Sequence, residues 1–279
     1  MRPAWLKVKL ARPEAYQAVE RLVKSKSLHT VCEAAQCPNI YECWSKRTAT
    51  FMLLGDICTR ACPFCAVKTG KPSGLDPNEP RKVAEAVQEM GLTYVVLTSV
   101  TRDDLSDGGA RQFAKTITEI RQHNPGVKVE ILVSDLQGSE DAVATVLAAS
   151  PTVFSHNLET VRRLTPTVRA KASYAGSLAL LLKAAQLRPD IPVKSSIMVG
   201  LGEEWAELEH TLKDLQQYGV SLLAIGQYLS PSPKHLAVRR YYTPAEFEKL
   251  RQIGLQLGFR HVVAGPLVRS SYKASDFML

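Results

Sequence analysis

The sequence predicts an α/β fold with parallel strands, and three observations predict it. From residue 81 onward, helix-like and strand-like segments alternate. The strand-like segments are apolar at successive positions rather than at every second one, as strands buried on both faces are. The stretch between one strand and the next is long enough for the crossover that a parallel neighbour requires. The apolar run Thr50-Phe-Met-Leu-Leu54 is the first strand. Residues 83–90 have helical spacing and precede a strand over 94–100. A helix over 112–123 then leads to a strand over 127–133, and a helix over 141–149 to a short strand over 152–156. The helices 177–187 and 204–218 precede strands over 193–199 and 222–228. These six βα-type units fit either an open barrel or a doubly wound sheet, and periodicity alone does not separate the two. Residues 68–80 and 231–238 read as Pro-containing loops. Thr243-Pro-Ala-Glu246 opens a further helix with an N-cap threonine, a first-turn proline and a capping-box glutamate.

At 279 residues, with 45% hydrophobic and 22% charged positions, the chain can bury one substantial core, and disorder, collagen and coiled coil are excluded. The longest apolar run, near 177–182, stops at Lys183, far short of a membrane span. The N-terminal residues lack the apolar core of a signal peptide, and a cytoplasmic protein is expected. The net charge of +8 is concentrated at the ends: residues 1–30 carry seven Lys/Arg against two Glu, and residues 231–279 carry eight against three acids. Such ends are either solvated faces or a docking surface for an acidic protein partner. Nucleic acid is not expected, because no zinc finger, RNP-type motif or aromatic-interleaved basic run accompanies the charge.

All six cysteines fall within residues 32–65, and none follows. A disulfide framework belongs to small secreted domains, so metal binding is the better reading. Cys32, Cys37 and Cys43 form C-x4-C-x5-C; Cys58, Cys62 and Cys65 form C-x3-C-x2-C. Structural zinc wants four closed ligands, and a zinc site here must mix the triplets or borrow His29. Two sets of three thiolates suit two iron–sulfur cubes better, because a cube can leave one iron to another ligand. Brown protein absorbing near 400 nm would separate this reading from a zinc-binding basic adaptor.

The second triplet follows the first strand, where parallel barrels build their sites. With Phe64 before its third cysteine, it resembles the radical S-adenosylmethionine superfamily. Further motifs narrow the resemblance: Cys32-Glu-Ala-Ala-Gln-Cys37-Pro-Asn-Ile-Tyr-Glu-Cys43-Trp, Thr48-Ala-Thr-Phe-Met-Leu-Leu-Gly-Asp56, Leu97-Thr-Ser-Val-Thr-Arg-Asp-Asp-Leu-Ser-Asp-Gly-Gly109, His156-Asn-Leu-Glu-Thr160, Lys194-Ser-Ser-Ile-Met-Val-Gly-Leu-Gly-Glu203, Gln227-Tyr-Leu and Arg269-Ser-Ser-Tyr272. In this order they are similar to the lipoyl synthases. The superfamily triplet alone would equally suit a biotin synthase relative.

The resemblance implies a partial (β/α)6 barrel over 50–230, with an N-terminal extension over 1–49 and a C-terminal segment over 231–279 that folds back. It implies two [4Fe–4S] clusters. Cys58, Cys62 and Cys65 would hold the one that cleaves S-adenosylmethionine, with Phe64 against the adenine. Cys32, Cys37 and Cys43 would hold an auxiliary cluster, with a serine of Arg269–Tyr272 as fourth ligand and sulfur source chemistry to follow. Alternation in an extended segment favours Ser271 over Ser270. Ser99, Asn157, Glu159 and Met198, at strand ends, are candidate contacts to S-adenosylmethionine, although Asn157 and Glu159 also read as a strand-end turn. The implied reaction inserts two sulfur atoms at C6 and C8 of an octanoyl chain on a lipoyl carrier domain of the 2-oxoacid dehydrogenase or glycine cleavage type, using two S-adenosylmethionine per lipoyl group. The implied partners are that carrier, a ferredoxin or flavodoxin electron donor and an iron–sulfur carrier protein, with no membrane. His29 and His235 have no partner at triad spacing and receive no catalytic role.

Overall fold

The computed structural model describes residues 3–7, 11–169 and 171–278; Arg2 and Lys9 of the basic N-terminal stretch lie outside them. The chain packs as two compact units, one of Val8–Arg60 and Ala66–Phe154, the other of Met1–Lys7, Ala61–Cys65 and Ser155–Leu279.

The first unit begins with three helices, α1 (Glu14–Ser25), α2 (Val31–Ala34) and α3 (Ile40–Ser45), within the stretch where the sequence suggested only an extension. The signals of α2 and α3 are short: Thr30 caps α2 by accepting the Glu33 N–H, and helices of four and six residues give periodicity little to work on. Helix α1, with Tyr16, Val19 and Val23 buried at helical spacing over 12 residues, carries a signal that the sequence reading passed over. Strand β1 (Thr50–Leu53) pairs in parallel with β2 (Tyr94–Ser99), Leu53 opposite Ser99, and β2 pairs in parallel with β3 (Lys128–Leu132). The first unit also contains α4 (Glu79–Met90), α5 (Ala110–His123), α6 (Glu140–Ala148) and all but the last residue of β4 (Val153–Ser155). Helix α4 starts inside the expected 68–80 loop because Pro80 is tolerated, even favoured, in a first turn; it stops at Gly91, whose φ of 63° provides a left-handed cap.

In the second unit, α7 (Thr165–Val168) and α8 (Tyr174–Leu187) precede β5 (Val193–Val199); α9 (Trp205–Gln217) precedes β6 (Leu222–Gln227). Helix α10 (Pro244–Gln256) opens with the Thr243/Glu246 capping box expected from the sequence, and a seventh strand, β7 (His261–Gly265), follows. Strands β5, β6 and β7 are parallel neighbours in that order. All six residues of β6 are buried. The α/β class with parallel strands is thus borne out, as are the six expected strands. The unforeseen β7 carries only a Val-Val pair, flanked by His261 and Ala264, and is half-buried, so it does not stand out by composition.

Candidate active site

The first cysteine triplet is carried by α2 and α3. Cys32 sits in α2 and is buried, the Cys37 N–H donates to the Cys32 carbonyl at 3.0 Å, and Cys43 lies in α3. Thr48 clips the end of α3 by donating its N–H and hydroxyl to the Cys43 carbonyl. The pair of helices is fixed to β1 by the Thr30–Phe51 bridge and by the Met52 N–H donating to the His29 carbonyl at 2.8 Å. Burial, joined by the neighbouring Cys37, pushes the Cys32 thiol up to about 12 and the Cys43 thiol up to about 11. Unliganded, these two are therefore neutral thiols, and binding a soft metal there releases their protons. No two of the six cysteines form a disulfide. Among the described residues no three Cys, His, Asp or Glu close around one ion. A cube spreads its cysteines over separate irons and needs wider spacing than a single ion does, so the all-thiol donor sets fit iron–sulfur ligation.

Cys58 ends a two-residue strand, Ile57–Cys58, paired with Lys68–Thr69 in the first unit. The Gly70 N–H donates to the Cys58 carbonyl, and the Arg60 N–H approaches Cys58 Sγ at 3.4 Å. The Arg60 side chain is gripped by two carboxylates: its Nη2 lies 2.6 Å from Asp103 and 2.9 Å from Asp135. Thr59 adds bonds from its hydroxyl to Asp103 and to the Thr101 carbonyl. The loops after β2 and β3 thus hold the segment that follows Cys58. Nothing in the sequence spacing singled out Arg60 or Asp135; a charged pair 75 residues apart has no local signature.

Within the second unit, the Cys65 N–H donates to the Cys62 carbonyl at 3.0 Å. His235, passed over from sequence, holds this turn: its Nε2 lies 3.2 Å from the Cys65 carbonyl, its Nδ1 bonds the Ser232 hydroxyl, and Leu236 N–H donates to the Pro63 carbonyl. Phe64 and Met198 each pack against one buried cluster of Val168, Leu201 and Tyr228.

Asn157 and Glu159 do face each other, Asn157 Nδ2 donating to Glu159 Oε1 at 3.0 Å. The backbone of Glu159 is laced to β5, donating to Ser196 and accepting from Met198, which places Glu159 beside Met198 at a φ of 69°. Burial raises the Glu159 carboxyl pKa, against the pull of Arg169, Asn157 and Arg269. Asn157 Oδ1 is buried without a partner, as is Ser99 Oγ at the end of β2 in the first unit. Asp104, in the loop after β2, pairs with Arg102 at 2.8 Å, while Asp107 accepts from the N–H groups of Gly109 and Arg111 at the start of α5.

The Arg269–Tyr272 segment is a turn closed by the Tyr272 N–H on the Arg269 carbonyl at 3.0 Å. The alternation expected of an extended strand therefore does not apply, and Ser270 and Ser271 are both half-buried turn residues. Gly226 of β6 brings this segment close: a Cβ there would collide with the Val268 carbonyl and meet the Arg269 guanidinium.

The family model of the radical SAM superfamily matches residues 52–215. The chain is 55% identical over 276 residues to the lipoyl synthase of Staphylococcus carnosus (strain TM300), spanning 99% of this chain and 89% of that one. It is equally identical to the lipoyl synthase of Staphylococcus aureus (strain JH9), over 99% of this chain and 90% of the relative. The fold is similar to that of methylornithine synthase, with a TM-score of 0.58 at 14% identity over 89% of this chain and 78% of the other. A radical SAM family enzyme implies a [4Fe–4S] cluster that binds S-adenosylmethionine. On a superfamily match across most of the chain and near-complete alignment at 55% identity, the protein belongs to the lipoyl synthase family of radical SAM enzymes.

Proposed function

We propose that this chain is a sulfurtransferase that inserts two sulfur atoms, at C6 and C8, into an octanoyl chain amide-linked to a lysine of a lipoyl carrier domain. The observation that carries this reading is the second thiol triplet, Cys32, Cys37 and Cys43, on helices clipped to β1 in a chain that already has the superfamily triplet. When bound, the cluster at Cys58, Cys62 and Cys65 supplies the electron that cleaves S-adenosylmethionine, and the one at Cys32, Cys37 and Cys43 supplies sulfur. The chain's own residues do the positioning. Arg60, held by Asp103 and Asp135, fixes the turn after Cys58; His235 fixes the turn at Cys65; Phe64 and Met198 offer an apolar wall for adenine. Asn157, Glu159 and Ser99 supply polar atoms for the ribose and methionyl parts.

Ser271, with Ser270 as the alternative, completes the auxiliary site from the turn behind Gly226, and a hydroxyl holds iron less firmly than a thiolate does. Residues 1–49 and 231–279 serve as the two segments that frame this site, with the radical SAM barrel over 50–230 between them. A ferredoxin or flavodoxin supplies electrons, an iron–sulfur carrier protein restores the consumed cluster, and the reaction takes place in the cytoplasm on an octanoylated carrier. Iron and labile sulfide counted after anaerobic reconstitution test the two-site reading. The parent should hold about eight irons per chain and each triple Cys→Ala variant about four, as two cubes require; about four in the parent would contradict it.

A further inference from the structure

Leu54, just past the end of β1, lies in the left-handed region at a φ of 70°, and Gly55 follows at 90°. A leucine there is strained, because its Cβ crowds the following carbonyl, and such strain persists only where the surroundings impose it. Here two side chains impose it. The Leu54 N–H donates to both oxygens of the Glu79 carboxylate at 3.1 Å, and the Leu54 carbonyl accepts from Arg102 Nη1 at 3.1 Å. Glu79 is 7% exposed and Arg102 3%, and each is fixed in turn. Gln112 donates to Glu79 at 2.9 Å, while Arg102 forks onto Asp104 and reaches the Ser73 carbonyl. The Leu54 side chain occupies the space that Gly109 leaves, since a Cβ on Gly109 would collide with Leu54 Cδ1. Beyond Cys58 the segment is gripped a second time: the Thr59 N–H donates to the Thr101 carbonyl at 3.0 Å, and the Asp103 N–H to the Thr59 hydroxyl at 3.1 Å.

We propose that Glu79 and Arg102 are positioning residues of the radical SAM site: by holding Leu54 in its left-handed bend they set where Cys58, four residues on, presents its sulfur, and through it how tightly S-adenosylmethionine binds. The inference rests on the reading of Cys58, Cys62 and Cys65 as the ligands of that site. A change of φ at one residue redirects the chain as far as its next anchor, and the next anchor after Leu54 is Thr59, beyond Cys58. Without either hold, Leu54 relaxes toward an ordinary conformation and carries Cys58 with it. Thr101, Arg102, Asp103 and Gly109, all within the Leu97–Gly109 motif, thus act together, holding the Leu54–Arg60 segment from both ends.

The test follows 5′-deoxyadenosine formation by the anaerobically reconstituted full chain, as kcat and as KM for S-adenosylmethionine, with iron content and melting temperature measured beside them. Glu79→Ala and Arg102→Met should each raise KM several-fold while iron content stays at the parent's value. Glu79→Gln, which keeps an oxygen for the Leu54 N–H, should recover most of that loss. Glycine adopts the left-handed region without strain. Glu79→Ala added to Leu54→Gly should therefore change KM by much less than it does in the parent. A KM that Glu79→Ala leaves unchanged, or raises by the same factor in both backgrounds, would overturn the inference, since Glu79 would then only support the core, whatever it does to the melting temperature. If Glu79→Ala does not fold, Arg102→Met takes its place in that comparison. If Leu54→Gly does not fold, Glu79→Ala and Glu79→Gln decide, and equal KM values in the two overturn the inference. A Cys58→Ala variant that still forms 5′-deoxyadenosine would overturn the reading of the triplet itself, and the inference with it.

Discussion

Six thiols of one chemical kind are divided by their surroundings. Cys32 and Cys43 are enclosed and held neutral by burial, whereas Cys58 ends a short strand beside an arginine clamp. The division predicts that Cys58→Ala abolishes formation of 5′-deoxyadenosine, while Cys37→Ala retains some of it and gives no sulfur insertion; chromatography of both products checks this, and equal loss of cleavage in two folded variants would sink it. Glu159 gives a pH prediction. Its carboxyl pKa is raised, so the native state favours the neutral form: the stability it contributes is present below the unfolded value of about 4.3 and is lost as pH rises through the folded value. Glu159→Gln removes that loss, and its melting temperature relative to the parent should climb as the pH rises above about 4.3, the unfolded value. A constant difference would place Glu159 in a solvated setting. The cysteine spacing was legible in the sequence because ligands of one site cluster locally. The Asn157–Glu159 pair was legible because a two-residue step keeps one face. Arg60 and His235 were not, since the carboxylates that grip Arg60 lie 43 and 75 positions away and the carbonyl that meets His235 lies 170 away.

At the level of elements, the segment after Cys58 depends on a half-buried charge cluster and the Ser270–Ser271 turn depends on one glycine. Arg60→Leu would leave Asp103 and Asp135 facing each other with no counter-charge, at a cost of about 1–2 kcal/mol by denaturant titration, between the values for exposed and for buried pairs. Arg60→Lys should cost less, because it keeps the charge while losing the fork. Gly226→Ala forces the Val268 carbonyl away from β6 and so displaces the turn that follows. The variant should keep its superfamily cluster and its cleavage of S-adenosylmethionine while iron content falls toward one cluster; full iron content would show that the turn does not need this approach. The strands were legible because parallel burial writes continuous apolar runs into the sequence. The ends of elements were less so: α4 begins at Glu79 through a proline that reads as a loop, and Arg269–Tyr272 is a turn where alternation suggested extension.

For the whole molecule, the basic residues at the two ends bear on the partner. If they dock an acidic carrier domain, binding of the whole octanoylated carrier weakens as salt rises past about 0.15 M, where exposed charges are screened beyond about 8 Å, and an octanoyl-lysyl peptide is much less sensitive. Identical salt dependence for both would make the charge a solvated face. Among the described residues no helix is long and apolar enough to cross a membrane. The family follows from near-complete alignment at 55% identity, and the chemistry proposed here goes one step further, to the bond that is made. The most direct measurement is therefore mass analysis of an octanoyl-lysyl peptide after anaerobic incubation with the reconstituted protein, S-adenosylmethionine and a low-potential reductant. The account predicts a peptide that has gained two sulfur atoms, at C6 and C8, with one 5′-deoxyadenosine formed for each. An unmodified peptide accompanied by abundant 5′-deoxyadenosine, from protein holding both clusters, would contradict it.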